Sequence, residues 1–333
     1  MAKPTANLPV CLLKGKEAGR LFDLFRISRY RITLAAGTQG LILPPYKGAT
    51  FRGGFGAVFR RIACAVREQD CLNCLLKSQC PYAYIFETSP PENSQALSKY
   101  ENIPRPFVLE PPTETKTFYA PGETLDFQLL LFGRAIQYLP YFIVVFREMG
   151  ETGLGRGRRP FVLTKVAALG RQEAAEIYSA QTNTIRHVDQ SDTCLPPQFP
   201  PTSQIQVNFI SPVRLVDDGT CATVPEFHIL FRQIMRRISA LAYFHHGQRL
   251  DADYAGLSAR SRQISLSANN TSWQELERYS HRQGQRINMG GLVGTVTYQG
   301  NLTEFMPWLA LGEHVHVGKN TVFGLGKYEL TIL

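Results

Sequence analysis

Four cysteines, Cys64, Cys71, Cys74 and Cys80, fall within seventeen residues of a 333-residue chain that carries seven. Their spacing is C-x6-C-x2-C-x5-C. Thiolates this close can converge on one tetrahedral ion, and two residues between the central pair let both sulfurs face it. No histidine lies among them, and four thiolates would leave no position for water. The expectation is therefore a small zinc insertion over 64–80, structural in role, with no catalytic metal. An iron–sulfur cluster and four unlinked thiols are the other readings of the spacing. The odd total, completed by Cys11, Cys194 and Cys221, argues against a disulfide framework and fits a reducing, cytoplasmic compartment.

Three further stretches combine glycine with cations. Gly318 to Lys327 (GKNTVFGLGK) holds Gly318, Gly324 and Gly326 with Lys319 and Lys327. Glycine lets backbone N–H groups approach phosphate with no Cβ in the way, yet the same glycines serve equally as turn formers before a strand. The segment lacks the G-x4-G-K-[ST] pattern of a nucleotide-binding loop. GLGRGRR (153–159) offers Arg156, Arg158 and Arg159, with the same two readings. RYSHRQGQRINMGG (278–291) interleaves Arg278, Arg282 and Arg286 with Tyr279 and His281. That mixture suits a single-stranded RNA backbone with an occasional stacked base; a solvated charged loop is the plainer reading. A general base at neutral pH would come from the seven histidines, of which His314 and His316 flank Val315.

The formal charge of +9 favours an acidic polymer as partner, most simply nucleic acid. At 44% hydrophobic, the chain can bury proper cores. The N-terminus reads as no signal peptide, and no apolar run reaches the roughly 18–20 residues of a membrane helix, so no membrane partner is expected. No signature of a nucleotide-driven motor, a Ser-His-Asp hydrolase or a HExxH peptidase occurs.

The elements that must position these residues repeat. Strand-like residues over 25–34 precede a helical stripe of Phe51, Phe55, Val58, Phe59 and Ile62, with Arg52, Arg60 and Arg61 opposite. A short strand at 106–111, clean alternation of Leu125, Phe127, Leu129 and Leu131, a helix over 135–148 and a strand after GLGRGRR complete one βαββαβ unit. The second half offers a strand at 205–209 and a helix from Phe227 to Leu241, with Arg232, Arg236 and Arg237 off its stripe. Strands at 261–267 and 291–298, a helix at 302–311 and a closing strand in GLGKYELTIL follow. This order predicts an α+β protein of two tandem ferredoxin-like (RRM-like) domains, 1–195 and 204–333, joined by a proline-rich linker at 196–203.

Several stretches resemble the CRISPR-associated RAMP superfamily, and within it the endoribonucleases that process precursor CRISPR RNA. They are PPYKGATFRGGFGAVFRRIAC, DCLNC with CPYAYIFE, RYSHRQ with GGLVGTVTYQGNL, and LGEHVHVGKNTVFGLGKYEL. The resemblance implies a metal-independent ribonuclease that cuts each CRISPR repeat once. The ribose 2′-OH would attack the adjacent phosphate in line, a base taking its proton and an acid protonating the 5′ leaving oxygen. A 2′,3′-cyclic phosphate and a 5′-OH would result. The family often places a histidine near the first helix, but Tyr46 to Arg67 has none; Tyr46, Lys47, Arg52 and Arg60 are what the region offers. The base would then be His316 or, second, His281, with Lys319 as a phosphate-stabilising cation and Tyr46 the remaining catalytic candidate. Lys47, Arg52, Arg60, Arg156, Arg158, Arg159, Arg278, Tyr279, Arg282, Gly318, Gly324, Gly326 and Lys327 would contact RNA. Other CRISPR effector subunits are further candidate partners. The alternative is a non-catalytic RAMP subunit that holds guide RNA in such a complex; a third is a zinc-stapled RNA binder unrelated to CRISPR.

Overall fold

The computed structural model describes residues 10–12, 18–66, 70–88, 103–170, 174–186, 199–280 and 284–333. Two compact units emerge. One comprises Ile27–Asp192 with Val322–Gly324; the other comprises Met1–Arg26, Thr193–Thr321 and Leu325–Leu333. Neither is a continuous segment of the kind drawn at 1–195 and 204–333: the helix Ala18–Leu24 groups with the C-terminal half.

The N-terminal unit runs β1 (Ile27–Ala36), α1 (Gly48–Ala63), β2 (Phe107–Glu110), β3 (Thr124–Phe132), α2 (Leu139–Thr152) and β4 (Phe161–Ala168). Its antiparallel sheet has the order β2-β3-β1-β4, extended by β5 (Ala175–Ser179) and β6 (Thr184–Ile185). Alternation in β3 turns Phe127 toward the helices, where Phe51 of α1 and Phe146 of α2 meet its ring at 4.6 and 5.1 Å. Phe107 of β2 likewise meets Phe55 and Phe142. Both helices therefore cover one face of the sheet. Pro140 sits in the first turn of α2, where its missing N–H costs no hydrogen bond.

The C-terminal unit repeats the plan with β7 (Gln204–Val213), α3 (Phe227–His246), β8 (Ser265–Gln274), a hairpin of β9 (Glu277–Ser280) and β10 (Gln285–Asn288), β11 (Gly291–Gln299), α4 (Met306–Val315) and β12 (Tyr328–Ile332). The sheet order β8-β11-β7-β12 again places the second, third, first and fourth strands side by side, all antiparallel. Phe227 and Phe231 of α3 pack edge-on to Phe305, and Phe227 also to Tyr298 of β11. The Tyr298 hydroxyl donates to the Pro225 carbonyl and the Tyr328 hydroxyl to that of Leu309, so both buried phenols are satisfied.

Three expectations need correction. The strand placed at 261–267 runs 265–274, because Asp253 caps a preceding helix, Tyr254–Ser261, by accepting the Gly256 N–H at 2.8 Å. The helix placed at 302–311 starts later, at Met306, with Pro307 in its first turn after a 3-10 turn at Thr303–Phe305. Arg237 is no surface residue: it is 8% exposed, donates Nε to the Val315 carbonyl, and burial pulls its pKa down to about 9. The signal was present, since Arg237 lies three residues after Ile234 and four before Leu241 on the buried stripe.

Within the N-terminal unit, Phe323 is held from three directions. The Tyr46 hydroxyl donates to its carbonyl at 2.7 Å, and the Arg52 guanidinium lies 5.2 Å from its ring. Gly48, in the first turn of α1, lies so close that a Cβ there would sit 2.0 Å from the same carbonyl oxygen. Gly48→Ala is therefore expected to destabilise the protein by about 1–3 kcal/mol in urea unfolding, since backbone must move to make room. Gly53→Ala, on the same helix with nothing within 4 Å of its added Cβ, is expected to stabilise by about 0.5–1 kcal/mol. Equal effects at the two sites would show that helix propensity, not close approach, governs both.

A second expectation concerns pH. Burial lifts the Glu313 carboxyl to about 6; Glu329 adds to the rise and the Leu330 N–H, donating at 2.7 Å, opposes it. The folded state thus binds this proton more tightly than the unfolded chain. Stability from that source is fully present below the ordinary carboxylate range and lost as pH rises through about 6. Glu313→Gln keeps an acceptor for Leu330 without the charge. It is expected to gain up to about 2 kcal/mol at neutral pH and nothing in mild acid, read by urea unfolding at both.

Candidate functional site

The glycine–arginine segment folds as a tight hairpin in which Leu154 and Arg159 exchange both backbone hydrogen bonds. Gly153, Gly155 and Gly157 all have positive φ, and a Cβ on Gly155 would sit 2.1 Å from the Ile42 carbonyl oxygen. Arg156 and Arg158 are exposed at the tip, while Arg159 is half-buried and donates to the Gln39 carbonyl. Two of the three arginines are thus displayed and the third anchors the hairpin.

In the C-terminal unit the final loop is stitched to the end of β7. Lys319 N–H donates to the Arg214 carbonyl at 3.1 Å, Gly326 N–H to Pro212 at 3.1 Å and Val317 N–H to Gly326 at 2.9 Å. Arg214, which sequence reasoning missed, completes the support: its side chain donates to the Asn288 carbonyl at 2.7 Å and to Cys221 Sγ at 3.0 Å. Its only sequence signal is being a cation two residues after Pro212, at the end of β7, which many surface arginines share. Lys319 is exposed; Gly318 and Lys327 are half-buried.

The interior of the loop is packed rather than open. Thr321 to Gly326 are buried. A Cβ on Gly326 would meet the Val317 carbonyl oxygen at 1.9 Å, and one on Gly324 would meet Leu109 O at 2.7 Å. The room a phosphate would need beside these two glycines is filled by the chain itself, so the turn-forming reading describes them. His316 is fully buried at the C-cap of α4 with φ +63°, its Nδ1 at 2.9 Å from the Leu325 carbonyl oxygen.

Near α1, Lys47 is also buried. Its ammonium donates to the carbonyls of Glu114 at 2.9 Å and Pro45 at 3.3 Å, and burial pulls its pKa down against the opposing pull of Glu114. It ties a loop to the helix start rather than displaying charge. The Tyr46 proton is committed to Phe323, and burial, then the nearby Glu110, raises its pKa, so it stays a donor at neutral pH. Arg52 is half-buried with its guanidinium 4.1 Å from the Phe86 ring, while Arg60 is exposed in the last turn of α1. On the β9–β10 hairpin Tyr279 pairs with Arg286 and is 55% exposed, and Arg278 is half-buried. His281 and Arg282 lie outside the described residues.

The four clustered cysteines are each partly exposed. Cys64 caps α1 and donates Sγ–H to the Val66 carbonyl. Burial, then Glu87, pushes the Cys71 thiol up, with Cys64 and Cys80 near enough to add to the rise and Arg60 opposing. Among the described residues, however, no group of three or more His, Cys, Asp or Glu is arranged to hold a metal ion. The four thiols are the right chemical type for zinc, but no three of them are so arranged. Among the same residues, no helix is long and apolar enough to cross a membrane.

Comparison with known proteins agrees with this architecture. Residues 24–190 match a family model described as an N-terminal domain, and residues 207–328 match the CRISPR-associated endoribonuclease Cas6 family. An uncharacterised protein of Archaeoglobus fulgidus is 23% identical over 295 residues, covering 86% of this chain and 92% of its own length. A Cas6 product complex from Thermus thermophilus superposes with a TM-score of 0.52 at 15% identity, covering 92% of this chain and 100% of that one. A partial Cas6-RT-Cas1–Cas2 complex gives 0.54 at 14% identity over 93% of this chain; the present chain spans 46% of the chain it matches there. At such identities the structural likeness shows the fold. Over residues 207–328 the chain is similar to the CRISPR-associated endoribonuclease Cas6 family.

Proposed function

We propose that the protein is a repeat-specific endoribonuclease that releases guide RNAs from precursor CRISPR RNA, and that its two units are tandem ferredoxin-like domains. The observation that carries this reading is the match of residues 207–328 to the Cas6 endoribonuclease family, on a strand order that the N-terminal unit repeats. The ribose 2′-oxygen attacks the adjacent phosphorus in line, the 5′-oxygen leaves, and the products end in a 2′,3′-cyclic phosphate and a 5′-OH. This transesterification uses the substrate's own nucleophile, so the chain need supply only a base, an acid and cations.

His316, buried against the Leu325 carbonyl, would have to leave its pocket to reach a 2′-hydroxyl. We therefore assign the base to His281 and leave His316 as a support of the loop. Exposed Lys319 is the cation for the scissile phosphate, and the exposed Arg156 and Arg158 are contacts to the RNA backbone. This reading takes the protein as cytoplasmic with CRISPR RNA as its partner; other CRISPR subunits are candidate partners, since a Cas6-RT-Cas1–Cas2 complex is among the similar structures.

Purified protein with a CRISPR-repeat RNA in EDTA is expected to give one discrete cut, abolished by a single 2′-deoxyribose at the cut site. His281→Ala is expected to lower kcat by about 10²–10⁴-fold while the Kd for uncleaved RNA stays within a few-fold. Failure to cut any repeat RNA, with tight binding retained, would select the second reading, a guide-RNA-holding subunit without turnover. The burial of His316 and the lack of histidine from Tyr46 to Arg67 favour that reading. Arg156→Ala with Arg158→Ala is expected to weaken binding of all RNA sequences alike and to reduce the slope of log K against log salt by about 1 to 2. An unchanged slope would remove this hairpin from the interface.

A further inference from the structure

Arg214 follows β7 directly and is half-buried. Three separate segments of the C-terminal unit meet on it. Its main chain serves the final loop: the Arg214 carbonyl accepts the Lys319 N–H at 3.1 Å, and a Cβ on Gly318 would sit 2.6 Å from the same oxygen. Its side chain serves the other two. Nη1 donates to the Asn288 carbonyl at 2.7 Å and to Asn288 Oδ1 at 3.3 Å, and Nε donates to Cys221 Sγ at 3.0 Å.

Each of these partners is itself fixed. Cys221 pairs with Val216 across a short hairpin, and the Ala222 N–H donates to the Leu215 carbonyl at 3.0 Å. Asn288 ends β10; its Oδ1 accepts the Gly290 N–H at 2.7 Å and its Nδ2 donates to Glu275 at 3.1 Å. The Met289 N–H donates to the Leu276 carbonyl at 2.7 Å, closing the foot of the β9–β10 hairpin. That hairpin forms a two-stranded sheet of its own. An isolated pair of strands is marginal in water, so its orientation depends on what holds its foot.

The guanidinium suits that task. Its N–H groups diverge in a fixed plane, so one side chain can hold a sulfur and a carbonyl at once, whereas an ammonium is a point donor on a flexible stem. Without it the main chain at 214 is freer to shift, and Lys319, hung on that carbonyl, shifts with it. The parts so joined carry exposed groups: Lys319 on the loop, Tyr279 and Arg286 on the hairpin. We infer that Arg214 is a positioning residue that sets Lys319 at a fixed spacing from the β9–β10 hairpin. Phosphate held by the lysine and nucleotides held by Tyr279 and Arg286 then belong to one RNA strand in one register. The inference rests on the assignment of Lys319 to phosphate; Arg214 itself need touch no RNA.

A double-mutant cycle on the full chain tests it, with Arg214→Lys, Lys319→Ala and the two combined. The readouts are the cleavage rate and the Kd for repeat RNA carrying 2′-deoxyribose at the cut site, or for unmodified repeat RNA if none is cut. Arg214→Lys keeps the charge and loses the fork. It is expected to weaken binding about fivefold and slow single-turnover cleavage about tenfold, and to change either by less than about twofold in the Lys319→Ala background. Additive losses overturn the inference, because a general support would act whatever stands at 319. So does an Arg214→Lys protein that behaves as wild type, the result of a direct phosphate contact through charge alone. Lys319→Ala without effect on either readout removes the lysine from the interface and the inference with it. Should Arg214→Lys not fold by circular dichroism, Cys221→Ala, which removes only the sulfur acceptor, takes its place, with an expected loss of about two- to threefold that vanishes in the same way. Failure to cut any repeat RNA overturns the endoribonuclease reading alone, since the Kd cycle still reports.

Discussion

The carbonyl oxygen of Phe323 sets the terms for the end of this chain. It lies within reach of the Tyr46 hydroxyl and so near Gly48 that no side chain can stand between. The same rule recurs along the loop, where Gly324 lies against Leu109 and Gly326 against Val317, each leaving no space for a Cβ. Backbone touching backbone consumes the freedom glycine would otherwise bring. The loop is thus a rigid support, and what it displays is fixed by the few residues that emerge from it, Lys319 foremost. The 153–159 hairpin follows the same logic, with glycines packed beneath and Arg156 and Arg158 held outward.

Much of the architecture was legible because it rests on periodicity. The alternation through Leu125, Phe127, Leu129 and Leu131 marks β3, and the stripes on α1 and α3 mark the helices that cover each sheet. Repetition of glycine before the last strand of each half was enough to expect a duplicated βαββαβ order. What escaped was whatever depends on partners distant in sequence. Nothing in GKNTVFGLGK distinguishes a glycine that receives phosphate from one that receives Val317. Nor can Lys47 be told from a surface lysine until Glu114 is seen to accept from it. The cysteine spacing fixes which donors are available, but convergence on one point is a property of the folded loop.

Buried cations change how the composition should be weighed. Arg237 donates to Val315 and Lys47 to Glu114 and Pro45, so these charges serve carbonyls inside the fold. Arg52 is half-buried with its guanidinium against the Phe86 ring, so its charge too is partly withdrawn from solvent. Formal charge therefore overstates what a polyanion meets. The cations a polyanion meets are the exposed ones, among them Arg60 on α1, Arg156 and Arg158 at the hairpin tip and Lys319 on the final loop.

Their placement divides the surface by charge. Arg156, Arg158 and Lys319 stand on turns built over glycine, where a flexible phosphate chain can reach them, whereas β8 runs for its full length without charge. Electrostatics would draw a polyanion toward exposed cations and away from an uncharged strand edge.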